Sequence, residues 1–118
     1  ANEKNPPIHH LVENWSRYLQ LIETRSMQLG KKVILTEVGY INKTGTAINP
    51  GIWTFEGTES EEIQANCYES LLVQINEYSS IVGVFWWNWE LNGIGGPGNI
   101  DYTPRGKLAE DVIRKYWQ

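Results

Sequence analysis

One carboxylate follows directly on a short apolar run. Val33-Ile34-Leu35 has no polar break and is followed by Thr36-Glu37 and then by Gly39. A run rich in β-branched residues is typical of a strand buried on both faces of a parallel sheet. A carboxylate at the end of such a strand is costly unless it is paired or used. Because the carboxyl ends of parallel strands are where chemistry occurs, Glu37 is a candidate catalytic carboxylate; the alternative is a glutamate paired with a lysine or arginine.

A group of tryptophans is the second chemically distinctive feature. Three of the six tryptophans, Trp86, Trp87 and Trp89, lie within four positions in the segment IVGVFWWNW. Tryptophan is bulky and seldom fully buried, so the group predicts a packed corner or a platform for flat ligands such as sugar rings. Alternation along a strand predicts Trp87 and Trp89 on one face and Trp86, as a core residue, on the other.

Other reactive residue types give weaker signals. His9-His10 has no carboxylate or cysteine at ligand spacing, so surface histidines are expected and no metal site is predicted. Cys67 lies on an apolar helical face and is expected in the core. The glycines between residues 92 and 99 lack the spacing and the lysine of a phosphate-binding loop. No cofactor is therefore predicted.

Composition argues against two further classes of partner. The chain has 118 residues and a formal net charge of −4, with scattered lysines and arginines, so we expect no nucleic-acid partner. No stretch is long and apolar enough to span a bilayer, and the first residues lack a signal-peptide core. We therefore expect no membrane partner, and the sequence leaves open whether the protein is secreted or cytoplasmic.

The predicted elements alternate as helix, strand, helix, strand, helix. They are a helix from about Ile8 to Leu29, a strand from Lys32 to Glu37, a helix beginning at Thr58, a strand from Ile81 to Trp89 and a helix beginning at Thr103. Residues 39–57, here called the rim loop, follow the Glu37 strand and include Trp53. A loop of this length is usually functional or disordered, and we expect it to form part of a rim over the Glu37 site.

This alternation implies parallel strands with right-handed crossovers. Two parallel strands do not make a stable sheet that is covered on both faces, and both strands have the character of central strands. We therefore expect residues 1–118 to be the C-terminal portion of a single larger α/β domain, most simply the closing part of a (β/α)8 barrel.

Four motifs, in this order, resemble glycoside hydrolase family 113, the endo-β-1,4-mannanases with a TIM-barrel fold. The motifs are ILTEVGY, GVFWWNW, GGPG and DYTPRGK, within residues 31–118. The resemblance implies that the two strands are strands seven and eight and that Glu37 is the nucleophile of retaining hydrolysis. It implies that Trp87 stacks under the sugar at the cleavage point of β-1,4-mannan or a related β-glycan, with no cofactor.

Further substrate contacts are predicted from position. Trp89 follows Trp87 on the same strand face, and Trp53 in the rim loop is a candidate for a more distant sugar subsite. Tyr40 could hold the nucleophile, line the cleft or be a plain rim tyrosine.

Retaining hydrolysis needs a second carboxyl group, which in the family stands at the end of strand four. The pairs Asn2-Glu3 and Asn76-Glu77 do not follow a strand, the latter being expected in a helix, so neither is assigned as the acid/base. The chain alone is expected to be inactive and to need the remainder of the barrel, from the same parent protein or from another chain. The alternative is a non-catalytic glycan-binding or degenerate half-barrel module.

Overall fold

The computed structural model describes residues 4–117, which form three helices and two strands in the predicted order. The elements are α1 (Ile8–Leu29), β1 (Val33–Val38), α2 (Glu61–Ile75), β2 (Ile81–Trp86) and α3 (Leu108–Tyr116). The bounds predicted for α1 are confirmed. It ends at Gly30, whose φ of 60° is left-handed and whose N–H donates to the Met27 carbonyl, a conformation that glycine adopts at little cost.

The two strands are parallel neighbours, as predicted. Their pairing is irregular near the carboxyl end, where Leu35 is opposite Val84 but Val38 is opposite Trp86. Two residues of β1, Thr36 and Glu37, therefore stand against one residue of β2. This is a β-bulge, which re-aims the side chains that follow it.

The helices cover one face of the strand pair. Helix α2 contacts both α1 and α3, and it supplies the centre of the core through Tyr68, Leu71 and Leu72, all fully buried. Leu35, Val84 and Trp86 pack against this core from the strands. Within residues 4–117 the opposite face of the strands is uncovered, since the side chains of Ile34 and Phe85 are exposed there.

Helix α2 begins three residues later than predicted. Its N-cap is Ser60, whose side chain accepts from the Ile63 N–H at 3.5 Å. Thr58 does not start the helix because it is paired with Thr44, with the Thr44 N–H donating to the Thr58 carbonyl at 2.8 Å and the Thr58 N–H donating to Thr44 Oγ1 at 3.1 Å. The spacing of Thr58 and Glu61 in the sequence predicts a capping box, and this prediction is therefore wrong.

Three other elements have bounds that differ from the predicted ones. Strand β1 is shifted by one residue relative to the predicted Lys32–Glu37, and β2 ends at Trp86 rather than Trp89. Helix α3 begins at Leu108 rather than at Thr103, because Thr103 is fully buried and its hydroxyl accepts from the Glu90 and Arg105 N–H groups. These bonds fix a turn before the helix instead of capping it.

Among the helices of residues 4–117, none combines the length and apolar character that crossing a membrane requires.

Candidate functional site

A cleft of about 410 Å³ opens where β1 ends, beside Trp87, the residue that follows β2. This is the end of a parallel strand pair at which ligands bind in α/β folds. Four of the five predicted site residues line it: Glu37, Tyr40, Trp53 and Trp87. The remaining lining residues are Trp15, Val38, Gly39, Pro50, Gly51 and Tyr102.

Glu37 owes its position to the bulge in β1. Strict alternation would put Glu37 on the same side as Leu35, which packs against the helices. The extra residue reverses the alternation, so that Val38 is buried and Glu37 is exposed at the cleft. Among residues 4–117, no lysine, arginine or histidine lies within 4.0 Å of its carboxylate, and no side-chain hydrogen bond occupies it. The pairing with a basic residue that was the alternative is therefore absent from the described part of the chain.

Trp87 is fixed beside Glu37 through the backbone. Its N–H donates to the Val38 carbonyl at 2.7 Å, and the Trp87–Asn88 peptide bond is cis. The approach is so close that a Cβ on Gly39 would lie 1.8 Å from the Trp87 carbonyl oxygen. Only glycine fits at that position. The indole is 52% exposed, so it is an aromatic surface that these residues leave uncovered at the cleft.

The other two tryptophans of the strand segment, Trp86 and Trp89, lie outside the cleft. Trp86 is packed between the rings of Tyr68 and Trp117, with centroids 4.5 and 5.5 Å away, which confirms it as a core residue. Trp89 is 46% exposed but does not line the cleft. Its predicted role in substrate binding has no support from this geometry.

Tyr40 lies in the wall of the cleft and not on its rim. It is only 7% exposed and its ring meets Tyr68 edge-on at 5.8 Å. Burial raises the pKa of its phenol above the ordinary value, and the nearby Cys67 raises this pKa further. A hydrogen bond with Trp15 lowers it, by less than burial raises it. Tyr40 is therefore a neutral aromatic wall residue, and the interpretation as a plain rim tyrosine is wrong.

Buried polar side chains hold together the segments that follow the two strands. Gln64 of α2 is fully buried and donates to the carbonyls of Tyr40 at 2.9 Å and Tyr102 at 3.3 Å. Lys107 is also buried and donates to Asn99 Oδ1 at 2.8 Å and to the Asp101 carbonyl at 3.0 Å. Desolvation lowers the pKa of Lys107 to about 8, against the opposing influence of nearby carboxylates. These bonds position the cleft wall from behind.

Sequence reasoning missed two residues of the cleft. Trp15 belongs to α1, and Tyr102 belongs to the DYTPRGK motif that precedes α3. In the structure Tyr102 forms part of the wall, and its hydroxyl donates to the Pro50 carbonyl of the rim loop at 2.8 Å. No local pattern signals this contact, which joins segments 52 residues apart.

Other predicted features lie away from the cleft. Cys67 is a core residue, as expected, and burial raises its pKa to about 12. His9 and His10 are exposed, as expected. Across residues 4–117, no cluster of three or more His, Cys, Asp or Glu side chains is arranged to hold a metal ion.

The fold and site together define a class. Parallel strands with helices on one face, and a carboxylate among aromatic rings at their carboxyl ends, are characteristic of part of a TIM-barrel enzyme. A family model, Glycoside Hydrolase Family 113, matches residues 5–107. The chain therefore belongs to glycoside hydrolase family 113, and the resemblance inferred from its motifs is confirmed.

Solved structures agree on the fold. A complex of a family 113 β-1,4-mannanase superposes with a TM-score of 0.83 at 29% identity, covering 91% of this chain and 36% of the other. A second β-1,4-mannanase structure gives 0.79 at 28% identity, with the same coverage of both chains. The β-mannanase AaManA from Alicyclobacillus acidocaldarius, in complex with ManMIm, gives 0.73 at 20% identity, covering 89% and 35%. No curated protein sequence matches the chain.

The chain spans about a third of the solved structures that it matches. Its α/β architecture thus corresponds to part of a family 113 TIM barrel, and the predicted fold class is confirmed.

Proposed function

We propose that residues 1–118 are the C-terminal portion of the catalytic domain of a retaining glycosidase that cleaves β-1,4-mannan or a related β-glycan, with Glu37 as its nucleophile. The observation that supports this most directly is a carboxylate without a cationic partner in residues 4–117, turned by a bulge into a cleft walled by aromatic rings. The similar solved proteins are described as β-1,4-mannanases.

The proposed reaction is a double displacement. A carboxylate oxygen of Glu37 attacks the anomeric carbon and forms a glycosyl ester, while a second carboxyl group protonates the departing glycosidic oxygen. The second group then takes a proton from water, the water oxygen attacks the anomeric carbon, and Glu37 is released. The overall anomeric configuration is retained because two inversions occur.

The second carboxyl group must stand about 5–5.5 Å from Glu37. Asn76-Glu77 is unsuited to this role, since Asn76 caps the end of α2 and Glu77 lies in the turn that leads to the opposite end of β2. Asn2-Glu3 lies outside the described residues. We propose that the acid/base comes from the remainder of the barrel, on a strand equivalent to strand four when β1 and β2 are numbered seven and eight.

The aromatic residues would bind the glycan. Sugar CH faces stack on aromatic rings, and exposed tryptophans in a cleft are suited to such stacking. Trp87, adjacent to Glu37, would support the sugar at the cleavage point. Trp53, which is 65% exposed on the rim loop, would support a sugar farther along the glycan, while Tyr40 shapes the wall. Trp89 would contribute only if the glycan extends beyond this cleft.

The nucleophile assignment is tested in the chain joined to the remainder of its barrel. Glu37→Gln removes the nucleophilic charge with little change in shape, and we expect mannan hydrolysis to fall at least about 10³-fold while glycan binding persists. Glu77→Gln is the matched control, because this exposed glutamate lies at the opposite end of the strands, and it should hydrolyse mannan at the wild-type rate. Undiminished turnover by Glu37→Gln would refute the assignment.

A second experiment separates a nucleophile from an acid/base. In Glu37→Ala, azide can occupy the space left by the carboxylate and attack the anomeric carbon of an activated β-mannoside. The expected product is an α-mannosyl azide, formed by one inversion, whereas loss of an acid/base would give the β-azide. Formation of the β-azide would assign the opposite role to Glu37.

The chain without the remainder of the barrel is expected to be inactive, since it would lack the acid/base. Robust turnover by the isolated chain would show that the second carboxyl group lies within it. A wild-type assembly that binds mannan and never hydrolyses it would favour the non-catalytic glycan-binding module instead.

A further inference from the structure

The two ends of the rim loop are well anchored to the fold. Near its start, Lys43 Nζ donates to the Phe55 carbonyl at 2.6 Å and stands over the Phe55 ring at 5.3 Å. Thr44 pairs with Thr58, and Ala47 packs on the core. Residues 48–54, here called the projecting part, are all exposed and include Trp53.

One side-chain hydrogen bond reaches this projecting part. The hydroxyl of Tyr102 donates to the carbonyl of Pro50 at 2.8 Å. Among residues 4–117, it is the one hydrogen bond that joins residues 48–54 to another segment of the fold. The backbone of this part otherwise bonds only within the loop, through Ile48 and Ile52. Within the described residues, Tyr102 is therefore the one hydrogen-bonding anchor of the part that carries Trp53.

Tyr102 is itself held firmly. Its carbonyl accepts from the buried Gln64 amide at 3.3 Å and from the Tyr68 hydroxyl at 3.5 Å. Its ring stands against Gly39, where an added Cβ would be 3.1 Å from Tyr102 Cδ1. Partial burial raises the pKa of the Tyr102 phenol, so its hydroxyl keeps the proton that it donates. A well-anchored residue in the wall of the same cleft is thus hydrogen-bonded to the projecting part of the loop.

We propose that Tyr102 is a positioning residue for an outlying sugar subsite: by donating its hydroxyl to the Pro50 carbonyl, it holds Trp53 over the cleft that contains Glu37. This inference rests on the proposed function, because it assigns Trp53 a sugar of the same β-linked glycan. The subsite takes a pyranose ring by stacking, and it contributes only when the glycan is long enough to reach Trp53.

The direct test is Tyr102→Phe in the chain joined to the remainder of its barrel. This substitution keeps the aromatic ring and removes only the hydroxyl donor. With β-1,4-mannohexaose, KM should rise about threefold to tenfold, the equivalent of one ordinary hydrogen bond, while kcat stays within about twofold. With β-1,4-mannotriose, which we expect to leave the Trp53 subsite empty, both constants should stay at the wild-type values.

Tyr78→Phe is the matched control. Tyr78 is another half-buried tyrosine whose hydroxyl donates to a single carbonyl, that of Ser16, at 3.4 Å. It precedes β2 at the end away from the cleft. Its substitution should change neither KM nor the difference between the two substrates.

A double-mutant cycle tests the route through Trp53. Trp53→Ala should raise KM for mannohexaose, and adding Tyr102→Phe to it should raise KM no further, since residues that act through one another are not additive. Independent additive effects, an unchanged KM in Tyr102→Phe, or an equal loss with both substrates would each overturn the proposal.

Amide hydrogen exchange gives a readout that does not depend on catalysis. Tyr102→Phe should increase exchange in residues 48–54, and Tyr78→Phe should not. If Glu37→Gln remained fully active, the proposed nucleophile would fail while this exchange result could still stand. If Glu37→Gln were inactive but Tyr102→Phe behaved as wild type in both assays, only the tether would fail.

Discussion

Gly39→Ala is the substitution whose effect the structure defines most sharply. The added Cβ would stand 1.8 Å from the Trp87 carbonyl oxygen and 2.9 Å from its carbonyl carbon. The first distance is about 1.6 Å short of the 3.4 Å at which ordinary contact begins, and the neighbouring atoms are backbone. The strand end and Trp87 must therefore separate, which breaks the 2.7 Å bond between the Trp87 N–H and the Val38 carbonyl.

The expected magnitude follows from that displacement. Loss of one backbone hydrogen bond costs about 1 kcal/mol of stability, which a domain can tolerate. Catalysis is more sensitive, because a misplacement of about 1 Å in a reacting group can cost on the order of 10²-fold. In the chain joined to its barrel, we expect kcat/KM on mannohexaose to fall about 100-fold, mainly through kcat, since Glu37 and Trp87 no longer keep their spacing.

Gly51→Ala is the control, because Gly51 lines the same cleft and a Cβ there would have no atom within 4 Å. Its kcat/KM should stay within about threefold of wild type. The assay is steady-state hydrolysis, with circular dichroism to show that both variants are folded. A folded Gly39→Ala variant with wild-type kcat would refute the close approach of Trp87 and the coupling inferred from it.

Two predictions concern the stability of the fold. Burial raises the pKa of the Cys67 thiol from 9.0 to about 12. Between these two pH values the thiol ionises in the unfolded chain but not in the folded one, so the folded state loses stability as pH rises. Between pH 8 and pH 10 the wild type should lose about 1.4 kcal/mol more than Cys67→Ala, measured by urea unfolding; equal losses would contradict the burial effect. Ser60→Ala should cost about 0.5–1 kcal/mol by removing the N-cap of α2, and Thr58→Ala should cost less, since Thr58 pairs with Thr44 through its backbone. A larger loss of stability in Thr58→Ala than in Ser60→Ala would instead support a capping box at Thr58.

The features predicted correctly from the sequence are those with local causes. Helix α1 is predicted by its own residues, because its apolar side chains recur at helical spacing and a glycine follows its last residue. Alternation of helices and strands is enough to predict parallel pairing, because the connections allow little else. The core positions of Trp86 and Cys67 follow from the periods of their own elements.

The bulge at Thr36-Glu37 has no comparable local signal. It arises because two residues separate Leu35 from Val38 in β1, while one residue separates Val84 from Trp86 in β2. A shift of one residue changes the face of every side chain after it. The sequence thus predicts that Glu37 is important at a strand end, but its orientation is decided by pairing with a strand more than 40 residues away. The same holds for Tyr102, whose partner in the rim loop is equally remote in sequence.

These contacts divide the cleft into two mechanical parts. Glu37 and Trp87 belong to one closely packed unit, because the backbone bond from Trp87 to Val38 and the tight fit at Gly39 hold the ends of the two strands together. Trp53 belongs to residues 48–54, which a single hydrogen bond joins to another segment of the fold among residues 4–117. Chemistry demands fixed geometry, whereas recognition of glycans of different length tolerates adjustment. Substitutions that remove or displace Trp53 should therefore alter glycan preference without loss of chemistry, while those at residues 37–39 and 87 should alter chemistry itself.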